Sequence, residues 1–190
     1  MHEKCPFCYA ANNLNRFPLK YLIVIILVSF AATVGLMLPL SSLNKVLVSA
    51  EPHYDIIDFE LAFTEEEAGT ILKTWGPDLQ REALKSLYID FAYLVSYALF
   101  LSSLTLLLTR SAHTKLQRTG AVIARMPWVA AVLDAAENIF LIHVITASSI
   151  PGASVFCAGI CAVIKFGLVG IAIAFIIAGG GYVLIKGVTK

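Results

Sequence analysis

Residues 21–44 carry no charged side chain, and the run YLIVIILVSFAATVGLMLPL within them is almost wholly apolar. A spanning helix needs about 20 such residues, because the hydrocarbon core is ~30 Å thick and a helix rises ~1.5 Å per residue. The stretch fits a first span over residues 21–40, ending near Pro39. It is longer than the ~7–15 apolar residues of a cleaved signal peptide and follows a polar leader, residues 1–20, so it reads as a retained helix. A second uncharged run, residues 91–109, extends back to Leu87 to give a span over 87–109. Two further spans, 127–147 and 154–185, are apolar but interrupted, the third by Asp134, Glu137 and His143 and the fourth by Lys165. SSIPG between them is a turn, with Pro and Gly ending one helix before the next begins.

Composition agrees. The 190-residue chain is 58% hydrophobic and 14% charged, against ~45–50% and ~25% in soluble domains. Mean hydropathy is +0.81. A soluble globule of this length would need far more polar surface. The net charge of +1 gives no basis for a disordered chain or a nucleic-acid-binding module. The expected fold is an all-α integral membrane four-helix bundle, one membrane domain over residues 1–190.

Lysine and arginine set the orientation. With four spans, the leader, the 110–126 loop and the C-terminus share one side. That side holds Lys4, Arg16, Lys20, Arg110, Lys115, Arg118, Arg125, Lys186 and Lys190 against the single acid Glu3. The 41–86 segment holds four cations (Lys45, Lys73, Arg81, Lys85) against nine acids. Both termini are therefore expected to be cytoplasmic, and residues 41–86 extracytoplasmic or lumenal.

The 41–86 segment is the one stretch long enough to fold outside lipid. Thr64 and Glu67 have capping-box spacing. Ala68, Ile71, Leu72 and Trp75 follow at i, i+3, i+4 and i+7, an amphipathic stripe. Gly76-Pro77 stops that helix and starts the next, whose Leu79, Ala83, Leu84 and Leu87 lead into the second span. The expectation is an amphipathic helical hairpin on the membrane surface, with Ile71, Leu72 and Trp75 meeting headgroups or a partner. Ile57, Phe59, Leu61 and Phe63 alternate with Asp58, Glu60 and Ala62, which predicts a short extended piece.

Charge at membrane depth carries the most information. Insertion scales put Asp, Lys or Arg at a helix centre near about +2.5 to +3.5 kcal/mol each. Asp134, Glu137 and Asn138 fall at i, i+3 and i+4 on one helix face. Helical rise puts Glu137 and Lys165 at matching depths of about 15 and 16 Å on antiparallel helices, which predicts a buried ion pair. Asp90 lies just inside the second span, with Tyr93, Ser96 and Tyr97 continuing a polar stripe inward; His143 faces elsewhere. Asp90, Asp134, Glu137, Asn138 and Lys165 thus form the candidate intramembrane polar site. They serve either as a clamp holding helices in register or as a proton, cation or headgroup site. Acids outnumber the lysine, so one carboxyl is protonated or bound to something else.

Cys5-Pro6-Phe7-Cys8 is half of a zinc or redox motif. A structural zinc needs four ligands, and Cys157 and Cys161 lie across the membrane from this pair, so Cys5 and Cys8 form at most a half-site. No cofactor is required by the sequence, and bound lipid is compatible with it. No phosphate-binding loop, dinucleotide fingerprint, nucleophile elbow or metalloprotease motif occurs.

The run Phe59-Glu60-Leu61-Ala62, then Thr64 through Trp75-Gly76, Asp90, the LDAAEN stretch and the lysine-bearing last helix resemble a loose set of uncharacterised small four-span microbial membrane proteins. Trp75, Gly76, Asp90, Asp134, Glu137, Asn138 and Lys165 carry the likeness. It implies no particular reaction and leaves out the CPFC motif. The leading expectation is a non-enzymatic accessory or scaffold subunit, with membrane lipids, other membrane-protein subunits or a second copy as partners and no nucleic acid. The alternatives are a carrier or sensor of a proton, cation or small amphiphile acting through the buried acids and lysine, and a membrane enzyme acting on lipid or quinone.

Overall fold

The structure, a computed structural model, describes residues 18–110 and 114–188, with side chains for all of these but 114, 115 and 181–188. Among the described residues there is no strand. The helices are α1 (Leu19–Leu47), α2 (Ile56–Glu60), α3 (Glu65–Thr109), α4 (Thr114–Ile123), α5 (Met126–Thr146) and α6 (Gly152–Val188). Four helical segments, containing α1, α3, α5 and α6, are long and apolar enough to cross a membrane. At ~1.5 Å per residue even the 21-residue α5 is about 32 Å long, matching the ~30 Å hydrocarbon core. This is the architecture of a multi-pass integral membrane protein.

Two local expectations are corrected. Helix α1 does not stop near Pro39 but continues eight residues beyond it. Leu40, Leu43 and Leu47 keep helical spacing past the proline, and Leu47 is fully buried; tertiary packing thus outweighs the one hydrogen bond that Pro39 removes. Residues 56–60 form a helix rather than an extended piece. Asp55 accepts from the Asp58 amide at 2.9 Å while Asp58 accepts from the Asp55 amide at 2.8 Å. That reciprocal cap satisfies the first turn and overrides the alternating pattern.

Helix α3 opens as the sequence predicts, with the Glu67 amide donating to Thr64 Oγ1 and the Thr64 amide donating to Glu67 Oε2. It bends sharply at Gly76, whose backbone (φ 60°, ψ −179°) lies outside the helical region. Only glycine adopts that conformation without strain. From Pro77 the helix runs unbroken to Thr109.

Helix α3 is the hub, packing on α1, α5 and α6, while α5 packs on α6. Thr33 of α1 donates to Ser96 of α3 at 3.1 Å, and Phe30 and Phe100 stack at 5.2 Å. Hydroxyl and close ring contacts of this kind hold helices together where lipid is as apolar as the side chains. The buried apolar residues form two layers. One gathers Leu47, Phe59, Ile71, Trp75, Leu141 and Val155 near the α5–α6 turn. The other gathers Leu94, Tyr97, Ala98, Leu101 and Ala131 farther along.

Candidate functional site

Between these layers lies a polar cluster assembled from four elements. Helices α5 and α6, joined by the short 147–151 turn, bring Asp134 and Glu137 opposite Lys165. The lysine has three N–H donors, and all three are used: Nζ is 2.8 Å from Asp134 Oδ1, 2.8 Å from Glu137 Oε1 and 3.1 Å from Glu60 Oε2. Tyr97 donates its hydroxyl to Asp134 Oδ2 at 3.0 Å. Asn138 donates its amide to Asp90 Oδ2 at 2.8 Å. Glu137 and Asn138 are almost fully buried, and Asp134 and Lys165 nearly so.

All five residues singled out from the sequence thus converge, and the predicted Glu137–Lys165 ion pair is present. Sequence reasoning missed Glu60, which it counted among acids facing water. A signal was there: Glu60 is the lone charge in the apolar run FELAF, an unfavourable place for a solvated loop acid.

Glu60 reaches the lysine because the segment after α1 folds back into the bundle. Lys165 is thirteen residues past Gly152, the first residue of α6, so it lies about 20 Å along that helix. Gly159, six residues nearer the helix start, meets the chain at Ala62 and Phe63: a Cβ on Gly159 would lie 2.9 Å from the Ala62 carbonyl oxygen. Irregular backbone packed inside a bundle needs protein partners for its polar groups, and here it has them. The Leu61 and Ala62 amides donate to the carbonyls of Ile57 and Phe59, and the Phe63 and Thr64 amides donate to Glu67 Oε2.

Charge does not balance in the cluster. Four carboxyls (Glu60, Asp90, Asp134, Glu137) face one lysine. The Glu60 and Glu137 carboxylates both meet Lys165 Nζ, at 3.1 and 2.8 Å, which gathers like charges on one ammonium. Glu137 Oε2 is buried and, among the described residues, has no hydrogen-bond partner. Burial pushes the Glu60 carboxyl above the ordinary glutamate value, against the opposing pull of Lys165. The described residues hold no group of three or more His, Cys, Asp or Glu placed to take a metal ion.

The remaining sequence candidates fall elsewhere. Ile71, Leu72 and Trp75, expected at a membrane surface or partner, are buried in the chain's own apolar layer. Trp75 packs edge-on against Phe59 at 5.3 Å and donates its indole N–H to the Tyr54 carbonyl at 3.2 Å. His143 stands away from the cluster, its Nδ1 3.0 Å from Ser154 Oγ. Cys157 and Cys161 are free thiols one turn apart on α6. Cys5 and Cys8 lie outside the described residues.

Compared with known proteins, the chain matches no family model, no curated protein and no solved structure.

Proposed function

We propose that this multi-pass membrane protein binds and releases protons inside the bilayer, as a proton-coupled carrier or sensor centred on Glu60, Asp90, Asp134, Glu137 and Lys165. The observation that carries the reading is the surplus of carboxyls around a fully committed lysine, with Glu137 Oε2 buried and, among the described residues, lacking a donor. A purely structural clamp has no use for that surplus: each additional acid at this depth opposes folding. A site that exchanges protons needs it, because at least one carboxyl must be free to change charge. Protons fit better than divalent ions, since the carboxyl oxygens are turned onto Lys165, Tyr97 and Asn138 rather than onto a common centre.

The accessory-subunit reading comes second. It rests on the apolar outer sides of α1 and α6 (Leu27, Val28, Leu38, Ile171, Ile177), which lipid covers equally well. In the working topology both termini are cytoplasmic and α2 approaches from the extracytoplasmic side.

Infrared difference spectroscopy on the chain in lipid nanodiscs tests the proposal. A pH step should move a protonated-carboxyl band, and Glu137→Gln should remove or shift it. A carboxyl region that stays silent across the neutral range would reduce the cluster to a clamp.

A further inference from the structure

The two apolar layers that enclose the cluster differ in how they are built. The layer containing Leu94, Leu101 and Ala131 is formed by long helices whose hydrogen bonds are internal. On the other side the cover includes α2, five residues long and flanked by non-helical segments 48–55 and 61–64. Few bonds hold α2 in place. The Ile56 amide donates to Asn44 Oδ1 at 2.9 Å. Trp75 donates to the Tyr54 carbonyl, and Phe59 stacks on Trp75. Ile57 on the same short helix is 45% exposed. The innermost tether is Glu60 on Lys165.

We infer that Glu60 is the exchanging member of the site: it picks up protons from the aqueous phase on the α2 side and passes them to Glu137, with α2 acting as the moving cover. This rests on the cluster being a proton site, as proposed above. The exchange balances simply. Hydronium gives its proton to the Glu60 carboxylate and leaves as water. With α2 seated, Glu60 rests as the neutral acid; it hands its proton to the Glu137 carboxylate and is reprotonated by the next hydronium. When the site loses its proton, the like charges gathered around one ammonium repel and α2 lifts.

The charged groups that act on Glu60 come from every element packed on it: Asp90 on α3, Asp134 and Glu137 on α5, and Lys165 on α6. Among the described residues, Lys165 is the cation paired with Glu60, Asp134 and Glu137. Its attraction is shared among three carboxylates, so it cannot hold Glu60 alone once all are ionised.

Cysteine accessibility provides the test. Ala62, two residues beyond Glu60, is 3% exposed. In the full chain with its native cysteines replaced, Ala62→Cys in nanodiscs should react with a membrane-impermeant maleimide several-fold faster at about pH 8 than at about pH 5. The rate is taken relative to an exposed control, Glu51→Cys. Adding Glu60→Gln should abolish that ratio. Amide-exchange protection of α2 in the unsubstituted chain, corrected for intrinsic rates, should fall over the same range, and it decides the matter if the Ala62 variant does not fold. A titrating carboxyl band with pH-independent labelling and protection would overturn the role of Glu60 while leaving the proton site standing. A silent carboxyl band would overturn both.

Discussion

A lysine ammonium with three donors and three carboxylate acceptors has no spare hydrogen-bonding capacity, which makes Lys165 the residue whose loss is hardest to absorb. Lys165→Met would leave Glu60, Asp134 and Glu137 crowded together without a counter-charge. Removing one partner of a buried ion pair costs about 3–5 kcal/mol, so thermal stability in mild detergent should drop sharply. Combining it with Glu137→Gln should recover part of the loss, because one uncompensated acid is gone. A double variant no more stable than Lys165→Met would rule out direct coupling between these two residues. Glu60 gives the pH dependence its sign. Burial holds its carboxyl above the ordinary value, so the seated form of α2 favours the neutral acid. That stabilisation is complete below the ordinary glutamate range and is lost as pH rises through the raised value. The melting temperature should therefore fall as pH climbs from that range upward, and Glu60→Gln should flatten the slope. Melting curves across a pH series, wild type beside variant, read this directly.

Elements were legible in the sequence where local chemistry and tertiary packing agree. The T-x-x-E cap of α3, the Gly76-Pro77 break and the SSIPG turn all stand where side-chain spacing puts them. The convergence of Asp90, Asp134, Glu137, Asn138 and Lys165 was legible too, because helical rise and face are fixed by geometry alone. What was not legible is the fold-back of α2. Its alternating pattern imitates a strand, its cap depends on two aspartates, and no periodicity reveals that a loop acid will cross 105 residues of sequence to meet Lys165. Gly159 makes that meeting possible by letting the Ala62 carbonyl approach α6. Gly159→Val puts branched carbon where that carbonyl already stands, 2.9 Å from an ideal Cβ, so α2 and its linker must move outward. Glu60 should then leave the lysine, with lower thermal stability and raised amide exchange confined to α2. Unchanged exchange there would mean that the packing absorbs the methyl groups. At the other break, Gly76→Ala forces a non-glycine residue into an extended positive-φ conformation, at a cost of about 1–3 kcal/mol.

For the molecule as a whole, a small set of charges has to specify both a direction of insertion and a buried site, and it does so by separating them along the chain. The leader, the 110–126 segment and the C-terminal residues together carry nine cations with one acid, and the 41–86 segment carries four cations with nine acids. The positive-inside rule counts lysine and arginine in short flanking loops, which here include Arg110, Arg118 and Arg125 around α4. If that bias sets the topology, it orients the cluster as well as the chain. Helix α2 and the 147–151 turn belong to the same end of the bundle, so the cover over Glu60 should open to the extracytoplasmic side and the Leu94–Leu101 layer should close the cytoplasmic one. Single-cysteine reporters in intact cells decide this. A cysteine placed at Glu51 should react with an impermeant reagent added outside, whereas one at Arg118 should react only after the membrane is permeabilised. Reversed labelling would invert the topology and point the proton site at the cytoplasm. Labelling of both positions from outside would mean that α3 fails to cross the membrane, and the four-span architecture would fall with it.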